Sequence, residues 1–176
     1  MDNFIIKKCE IGDVGKIDRF YRYVIDNTEN MRQYGKWIYG LHPAYGQIEE
    51  YVKNGFMYFA ENNNEILSAV AVTPFQGEEY ENKKWQIMCK NNEVSTVHLL
   101  AVNPDYQREG IARKTMHELI KLSENNNLKA IRLDALSYNT PAHKLYQSLG
   151  FKKTDVCSWY AKNVGQTDFY LFELLL

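Results

Sequence analysis

The sequence predicts a single α/β domain in which a mixed, twisted β-sheet carries helices on both of its faces. Predicted strands and helices follow one another in the order β-α-α-β-β-β-α-β-α-β-β, and no segment repeats with a period of 20–50 residues. The 176 residues match the length of one domain, which buries roughly 70% of its unfolded surface. A hydrophobic fraction of 45% and a charged fraction of 24% are typical of soluble globular proteins.

The first elements follow from hydrophobic spacing. Phe4–Lys8 is predicted to be a strand, and a helix is predicted to run from Asp13 to about Ile25. One face of this helix is apolar at spacings of three and four residues, through Val14, Ile17, Phe20, Tyr21 and Val24.

A short helix and a hairpin come next. Gln47–Asn54 is predicted to be helical and to end at Gly55, because glycine tolerates the backbone conformation that closes a helix. Phe56–Glu61 and Glu65–Thr73 are predicted to pair as a hairpin around the turn Asn62–Asn64. The charged segment Phe75–Asn92 is ambiguous, and Trp85–Cys89 within it is predicted to extend a strand.

The second half has clearer elements. The last segment, Phe169–Leu176, is apolar enough to be either a central strand or a dimer interface, so a homodimer is one expectation. The predicted strands are Val94–Val102, Ala130–Asp134, Phe151–Tyr160 and Asp168–Leu175, and the predicted helices are Gly110–Ser123 and Thr140–Leu149.

Charge and cysteine usage narrow the class of protein. With 21 Lys and Arg against 22 Asp and Glu, the chain lacks the positive charge that nonspecific nucleic-acid binding needs. Three widely separated cysteines, no C-x-x-C and an N-terminus without a basic region followed by an apolar stretch predict a cytoplasmic protein. The apolar runs are too short to span a bilayer, and the four histidines have no paired ligand spacing, so neither a membrane nor a metal is expected.

The most informative segment joins the strand ending at Val102 to the helix beginning near Gly110. Gly110 and Ala112 are small, so the backbone can approach a ligand closely there. The first N–H groups of a helix have no partner within it and carry the positive end of its dipole, and Arg108 and Arg113 add charge. The segment therefore predicts a diphosphate-binding turn, with a plain strand-turn-helix connection as the alternative. Neither G-x-G-x-x-G nor G-x-x-x-x-G-K-[ST] is present.

Two segments resemble the signatures of one known family. Gln107–Ala112 is similar to the Q/R-x-x-G-x-G/A signature of the GNAT superfamily of acyl-CoA-dependent N-acyltransferases, and Asn139–Phe151 resembles its N-x-x-A-x-x-L-Y-x-x-x-G-F segment. The resemblance implies a central mixed sheet of about six or seven strands that splays between two parallel strands, here Val94–Val102 and Ala130–Asp134. It also implies acetyl-CoA as co-substrate. The residues it assigns to binding acetyl-CoA are Leu100, Ala101, Val102, Gln107, Arg108, Glu109, Gly110, Ile111, Ala112, Arg113, Asn139 and Tyr146.

The resemblance assigns one catalytic position and leaves another open. Tyr146 matches the family's general acid, which would protonate the departing CoA thiolate, and its alternative role is a core tyrosine. Asn139 would bond the pantetheine arm or else cap the following helix. Some members carry a glutamate base where this chain has Thr96. We expect His98 to be the nearest substitute, with Glu93, ordered water or a structural role for His98 as alternatives.

The expected activity is acetyl transfer from acetyl-CoA to a primary amine by direct attack in a ternary complex. Trp37, Tyr39 and His42 are predicted to line the acceptor site, with the acidic loop of Glu78, Glu79 and Glu81 attracting a cation. A small-molecule amine is the expected acceptor, and a peptide or protein amine is the alternative. The competing function is a non-catalytic acyl-CoA-binding sensor or assembly module, which would keep the turn but need no acid.

Overall fold

The computed structural model describes residues 4–176, which form one seven-stranded sheet with the order β1-β2-β3-β4-β5-β7-β6. Every neighbouring pair is antiparallel except β4 and β5. The strands are β1 (Lys7–Lys8), β2 (Met57–Asn62), β3 (Glu65–Thr73), β4 (Val94–Val102), β5 (Ala130–Leu136), β6 (Lys152–Ala161) and β7 (Gly165–Leu175).

Within residues 4–176, four α-helices cover the sheet. They are α1 (Val14–Asn27), α2 (Tyr45–Lys53), α3 (Ile111–Asn125) and α4 (Thr140–Ser148). The buried residues of α1 are Val14, Ile17, Phe20, Tyr21 and Val24, which confirms the apolar face predicted from spacing. Helices α1 and α2 pack on one face of the sheet and α3 and α4 on the other, so the predicted arrangement and element order are confirmed.

The two parallel strands separate from each other partway along their length. Strands β4 and β5 pair only from Val94–Thr96 to Ala130–Arg132, although β4 continues to Val102 and β5 to Leu136. The backbone of 97–102 that faces β5 therefore has no strand partner among residues 4–176. Because unpaired backbone groups need partners, this gap is suited to an extended ligand.

Two predictions for the N-terminal half and the loop are wrong. Strand β1 is shorter than predicted, because only Lys7 and Lys8 pair with β2. Trp85–Cys89 is not a strand, because side-chain contacts to β5 and β7 hold it: the carbonyl of Ile87 accepts from Arg132 at 2.9 Å. Among residues 4–176, no helix is long and apolar enough to cross a membrane.

The C-terminal strand lies inside the sheet. Strand β7 pairs with β5 on one side and β6 on the other, so its backbone groups are satisfied within the chain. Of the two expectations for this apolar segment, the structure therefore agrees with an internal strand.

Candidate functional site

The separation of β4 from β5 opens a cleft of about 1240 Å³ that reaches both faces of the sheet. Ligand sites commonly occupy about 300–1,000 Å³, so the cleft has room for two substrates side by side. Its walls come from the segment after α1, helix α2, the second half of β4, the start of α3, the end of β5, helix α4 and the turn between β6 and β7.

A β-bulge lies in the wall that β4 contributes. Ala69 pairs with Ala101 and Ala71 with His98, so one residue of β3 faces two of β4 at this point. Leu99 has a φ of 54°, which is rare for a leucine and is found where surrounding contacts hold the backbone. The hydroxyl of buried Tyr21 supplies such a contact by donating to the Leu99 carbonyl at 2.6 Å. The bulge thus changes the direction of the free β4 edge inside the cleft.

The predicted diphosphate-binding turn lies at one end of this cleft. Helix α3 makes its first hydrogen bond from Lys114 to the Gly110 carbonyl at 3.0 Å, so the N–H groups of 111–113 have no acceptor within the helix. Gly110 has a φ of 77° and Arg108 one of 67°, and such backbone turns favour glycine at the helix entry. Buried Asn103 braces the preceding turn by accepting from the Asp105 N–H at 3.1 Å and donating to the Ile66 carbonyl at 3.0 Å.

Nearly all of the predicted cofactor-binding residues line the cleft. Leu100, Ala101, Val102, Gln107, Arg108, Gly110, Ile111, Ala112, Arg113, Asn139 and Tyr146 contribute to it, whereas exposed Glu109 does not. The guanidinium of Arg113 donates to the Ser148 hydroxyl at 2.7 Å, which fixes a cation beside the start of α3. This end of the cleft therefore carries the positive charge and free N–H groups that bind an anion.

Asn139 caps helix α4, and Tyr146 lies within that helix. The Asn139 side chain accepts from the Ala142 N–H at 3.4 Å, so it caps the helix as well as lining the cleft. Tyr146 is 8% exposed, and its ring packs against Phe151 and Phe172. Burial, followed by the charge of Asp134, raises the pKa of Tyr146 well above its usual value. Tyr146 therefore keeps its proton near neutral pH.

A group of aromatic and imidazole side chains lines the opposite end of the cleft. His98 stacks on Tyr51 with ring centres 5.8 Å apart, and Trp37 packs edge-on against His42 at 5.9 Å. Burial lowers the pKa of His98 to about 4, with a partial opposing effect from Glu79, and burial also lowers the pKa of His42. Both imidazoles are consequently neutral near neutral pH.

Asp134 is a site residue that the sequence reasoning missed. It lies on β5 among apolar neighbours, lines the cleft, and accepts a hydrogen bond from the Tyr80 hydroxyl. Burial raises the pKa of Asp134, an effect that Glu79 reinforces and that Tyr80 and His42 oppose. One signal was visible in the sequence: an aspartate within an otherwise buried strand needs a partner or a function.

The remaining predicted residues lie away from this group. Tyr39 is 39% exposed, is absent from the cleft lining, and donates to Asp18 at 2.9 Å. Glu93 pairs with Lys129 at 2.7 Å outside the cleft, and the Thr96 hydroxyl donates to the Phe75 carbonyl at 3.0 Å.

The charges divide along the cleft. Arg108 and Arg113 lie at the α3 end, where no carboxylate of residues 4–176 lines the cleft. The other parts are lined by three carboxylates and one cation: Glu29, Glu50, Asp134 and Lys162. Such a division suits an anionic ligand at one end and a cationic ligand at the other.

Comparison with known proteins agrees with this geometry. Residues 17–151 match the family model described as Acetyltransferase (GNAT) family. The [Ribosomal protein bS18]-alanine N-acetyltransferase of Escherichia coli K12 is 32% identical over 81 residues, which are 46% of this chain and 55% of that protein. Human N-acetyltransferase 8 is 24% identical over 120 residues, 66% of this chain and 48% of that protein. The chain thus spans about half the length of these relatives.

Solved structures share the fold. The ribosomal-protein-S18-alanine N-acetyltransferase of Escherichia coli aligns with a TM-score of 0.66 and 18% identity, covering 98% of this chain and 94% of that one. A Salmonella typhimurium protein solved with its cofactor acetyl-CoA aligns with a TM-score of 0.67 and 16% identity, over 98% and 94% of the two chains. At these identities the likeness concerns the fold.

Proposed function

Because the chain belongs to the GNAT acetyltransferase family, we propose that it transfers an acetyl group from acetyl-CoA to a primary amine by direct attack. The observation that carries the proposal is the cleft between β4 and β5, which has cationic and carboxylate-bearing ends. It favours one anionic and one cationic substrate held together, so that positioning supplies much of the rate.

The cofactor end is expected to hold the diphosphate on the N–H groups at the start of α3, with Arg108 and Arg113 adding charge. The unpaired edge formed by Leu100, Ala101 and Val102 would then bond the amides of the pantetheine arm. An N–H group at the bulge would stabilise the negative charge that develops on the thioester oxygen, an effect of about 3–4 kcal/mol for a well-placed donor.

The acceptor amine must lose a proton before it attacks. An amine with a pKa near 10.4 is about 0.1% neutral at pH 7.4, a cost of roughly 4 kcal/mol. We assign proton acceptance to Asp134, because its carboxylate lines the cleft and burial raises its pKa. His98 stays the second candidate, since a pKa of about 4 makes it a weaker proton acceptor.

Tyr146 is expected to act as the general acid. It lies on the α4 side of the cleft, across the separated strands from His98, so the two substrates would meet between them. Its raised pKa keeps the phenol protonated until charge develops on the leaving sulfur.

We propose a small primary amine as the acceptor. Near the acceptor end, Asn163 of the turn between β6 and β7 donates to the Lys36 carbonyl at 2.7 Å and so joins two walls of the cleft. We expect this contact to restrict the approach of a polypeptide chain more than that of a small amine. The named activity of the bS18-alanine N-acetyltransferases makes an N-terminal alanine peptide the competing acceptor.

The test is the release of free CoA thiol from acetyl-CoA in the presence of diamines, amino sugars, amino acids and an alanine-initiated peptide. We expect turnover with a small amine, and a fall in kcat of about 10²–10⁴-fold in Asp134→Asn. If kcat falls by a comparable factor in His98→Gln and is unchanged in Asp134→Asn, His98 is the general base instead. CoA binding without turnover on any amine would support the sensor function instead.

A further inference from the structure

The segment between β3 and β4, residues 74–93, covers part of the sheet that α1 and α2 leave open. It contacts the face of β5, β7 and β6 on which Arg132, Asp134 and Glu173 lie. The Lys84 N–H donates to Asp155 of β6 at 3.1 Å, and the Tyr80 ring lies 6.0 Å from that of Trp159. Among residues 4–176, none of those that line the cleft belongs to this segment, which instead packs behind Asp134.

A buried ion pair anchors this segment to the sheet. Arg132 is 1% exposed and Glu173 is fully buried, and the guanidinium donates to Glu173 at 2.8 Å. The same guanidinium donates to the Gln76 side chain and to the Ile87 carbonyl, while Glu173 accepts from the Gln86 N–H at 2.6 Å. Buried pairs of this kind add little net stability, but these contacts fix where the segment lies.

The anchor determines the position of Tyr80. The Arg132 guanidinium lies 4.3 Å from the centre of the Trp85 ring, and Trp85 stacks on Tyr80 with ring centres 5.7 Å apart and an angle of 8°. The Trp85 N–H also donates to the Tyr80 carbonyl at 3.0 Å. Tyr80 is 1% exposed, and its hydroxyl donates to Oδ1 of Asp134. Contacts with Trp85 and with Asp134 therefore fix both the ring and the hydroxyl of Tyr80.

We infer that Tyr80 is a positioning residue of the transfer reaction. Its hydroxyl occupies Oδ1 of Asp134 and leaves Oδ2 to receive the proton of the acceptor amine. The inference rests on the proposed role of Asp134. The proton passes from the ammonium nitrogen to Asp134, and the Tyr80 proton stays on its own oxygen, because burial and the neighbouring carboxylate raise the pKa of Tyr80 well above its usual value.

The hydrogen bond also bears on the protonation of Asp134. Burial and then the charge of Glu79 raise the Asp134 pKa, whereas the Tyr80 hydroxyl and His42 act to lower it. Removing the hydroxyl leaves the carboxylate with less stabilisation, so its pKa rises. The ionisable groups around the carboxylate are Glu79 and Tyr80 of the loop, His42 and Tyr51 of the α1–α2 side, Tyr146 of α4 and Cys157 of β6.

The experiment compares Tyr80→Phe with the wild type by titrating the Asp134 side-chain carboxyl in ¹³C NMR spectra. Asp134→Asn assigns the resonance. We expect its pKa to rise by about one unit, and the acid limb of the kcat/KM profile to move to higher pH by the same amount. Gln86→Ala is the matched control, because it removes one side-chain bond between the segment and β7, to the Glu173 carbonyl at 3.2 Å. It keeps the Arg132 contacts and the Tyr80 hydroxyl.

Three outcomes are distinguishable. A shift in both the titration and the pH profile of Tyr80→Phe, with neither in Gln86→Ala, supports the inference. An unmoved Asp134 titration in Tyr80→Phe, or an equal shift in Gln86→Ala, overturns it, since the effect would then be absent or would come from loop order alone. If the Asp134 titration shifts in Tyr80→Phe but Asp134→Asn keeps the wild-type kcat, the proposed role of Asp134 is refuted, and the positioning role of Tyr80 with it.

Discussion

Replacing Tyr21 with phenylalanine tests whether one hydrogen bond maintains the bulge in β4. Tyr21 is fully buried, and its hydroxyl is 2.6 Å from the carbonyl of Leu99, the residue with a φ of 54°. The substitution leaves that carbonyl without its partner, which costs about 2 kcal/mol for a buried group. For a chain of this length, that corresponds to a fall in Tm of about 4–8 °C.

The same substitution is expected to lower activity as well as stability. A left-handed leucine is itself unfavourable by about 1–2 kcal/mol, so the freed backbone relaxes towards an ordinary extended conformation. That relaxation moves the free β4 edge proposed to hold acetyl-CoA. We expect kcat/KM for acetyl-CoA to fall about tenfold, an effect of about 1.4 kcal/mol.

The assays are thermal denaturation followed by circular dichroism and steady-state kinetics with varied acetyl-CoA. Tyr58→Phe is the matched control: Tyr58 lies on β2 with the core under α3 and α4, and its hydroxyl has no partner among the side-chain hydrogen bonds of residues 4–176. Wild-type Tm and wild-type kcat/KM in Tyr21→Phe would show that the bulge does not depend on this bond. Equal losses in both variants would point to general core damage.

Further variants test the other parts of the site. Tyr146→Phe is expected to lower kcat by about 10²-fold or more while acetyl-CoA affinity by calorimetry stays near wild type, because the ring packing is kept; unchanged kcat would remove Tyr146 from the reaction. Burial raises the folded-state pKa of Asp134 above its ordinary 3.8, so its stabilising contribution is complete below pH 3.8 and is lost as pH rises through the folded-state pKa. Asp134→Asn is therefore expected to have a higher Tm than the wild type at about pH 8 and a nearly equal one at about pH 4, and the opposite order would contradict the burial argument. Arg132→Met leaves Glu173 buried and unpaired, so urea denaturation is expected to show a free energy of unfolding lower by about 3–5 kcal/mol. The double variant Arg132→Met with Glu173→Leu is expected to recover part of this loss. A loss below about 1 kcal/mol in Arg132→Met would mean that Glu173 is already solvated.

The sequence was sufficient to predict the elements whose signals are local. The five apolar positions of α1, the bounds of β4 and the turn before α3 follow from spacing and from the demands of neighbouring backbone groups. The sequence also allowed the prediction that helices cover both faces of the sheet, because each helix has a single apolar side that must be buried. The two signature segments also predict where the cofactor would bind, because the N–H groups of that end belong to one continuous stretch of chain.

Only the tertiary structure revealed the cluster of side chains that is proposed to bind the acceptor. Asp134, Tyr80, His98 and Tyr51 come from four separate segments, and no spacing along the chain indicates that they meet. The segment 74–93 has no periodic hydrophobic pattern. Contacts with Arg132 and Glu173, rather than the backbone hydrogen bonds of a strand, fix its position, so no local pattern was needed. Local patterns specify how a chain hydrogen-bonds to itself over a few residues, whereas the charge and protonation of a buried carboxylate depend on groups that folding brings close from distant positions.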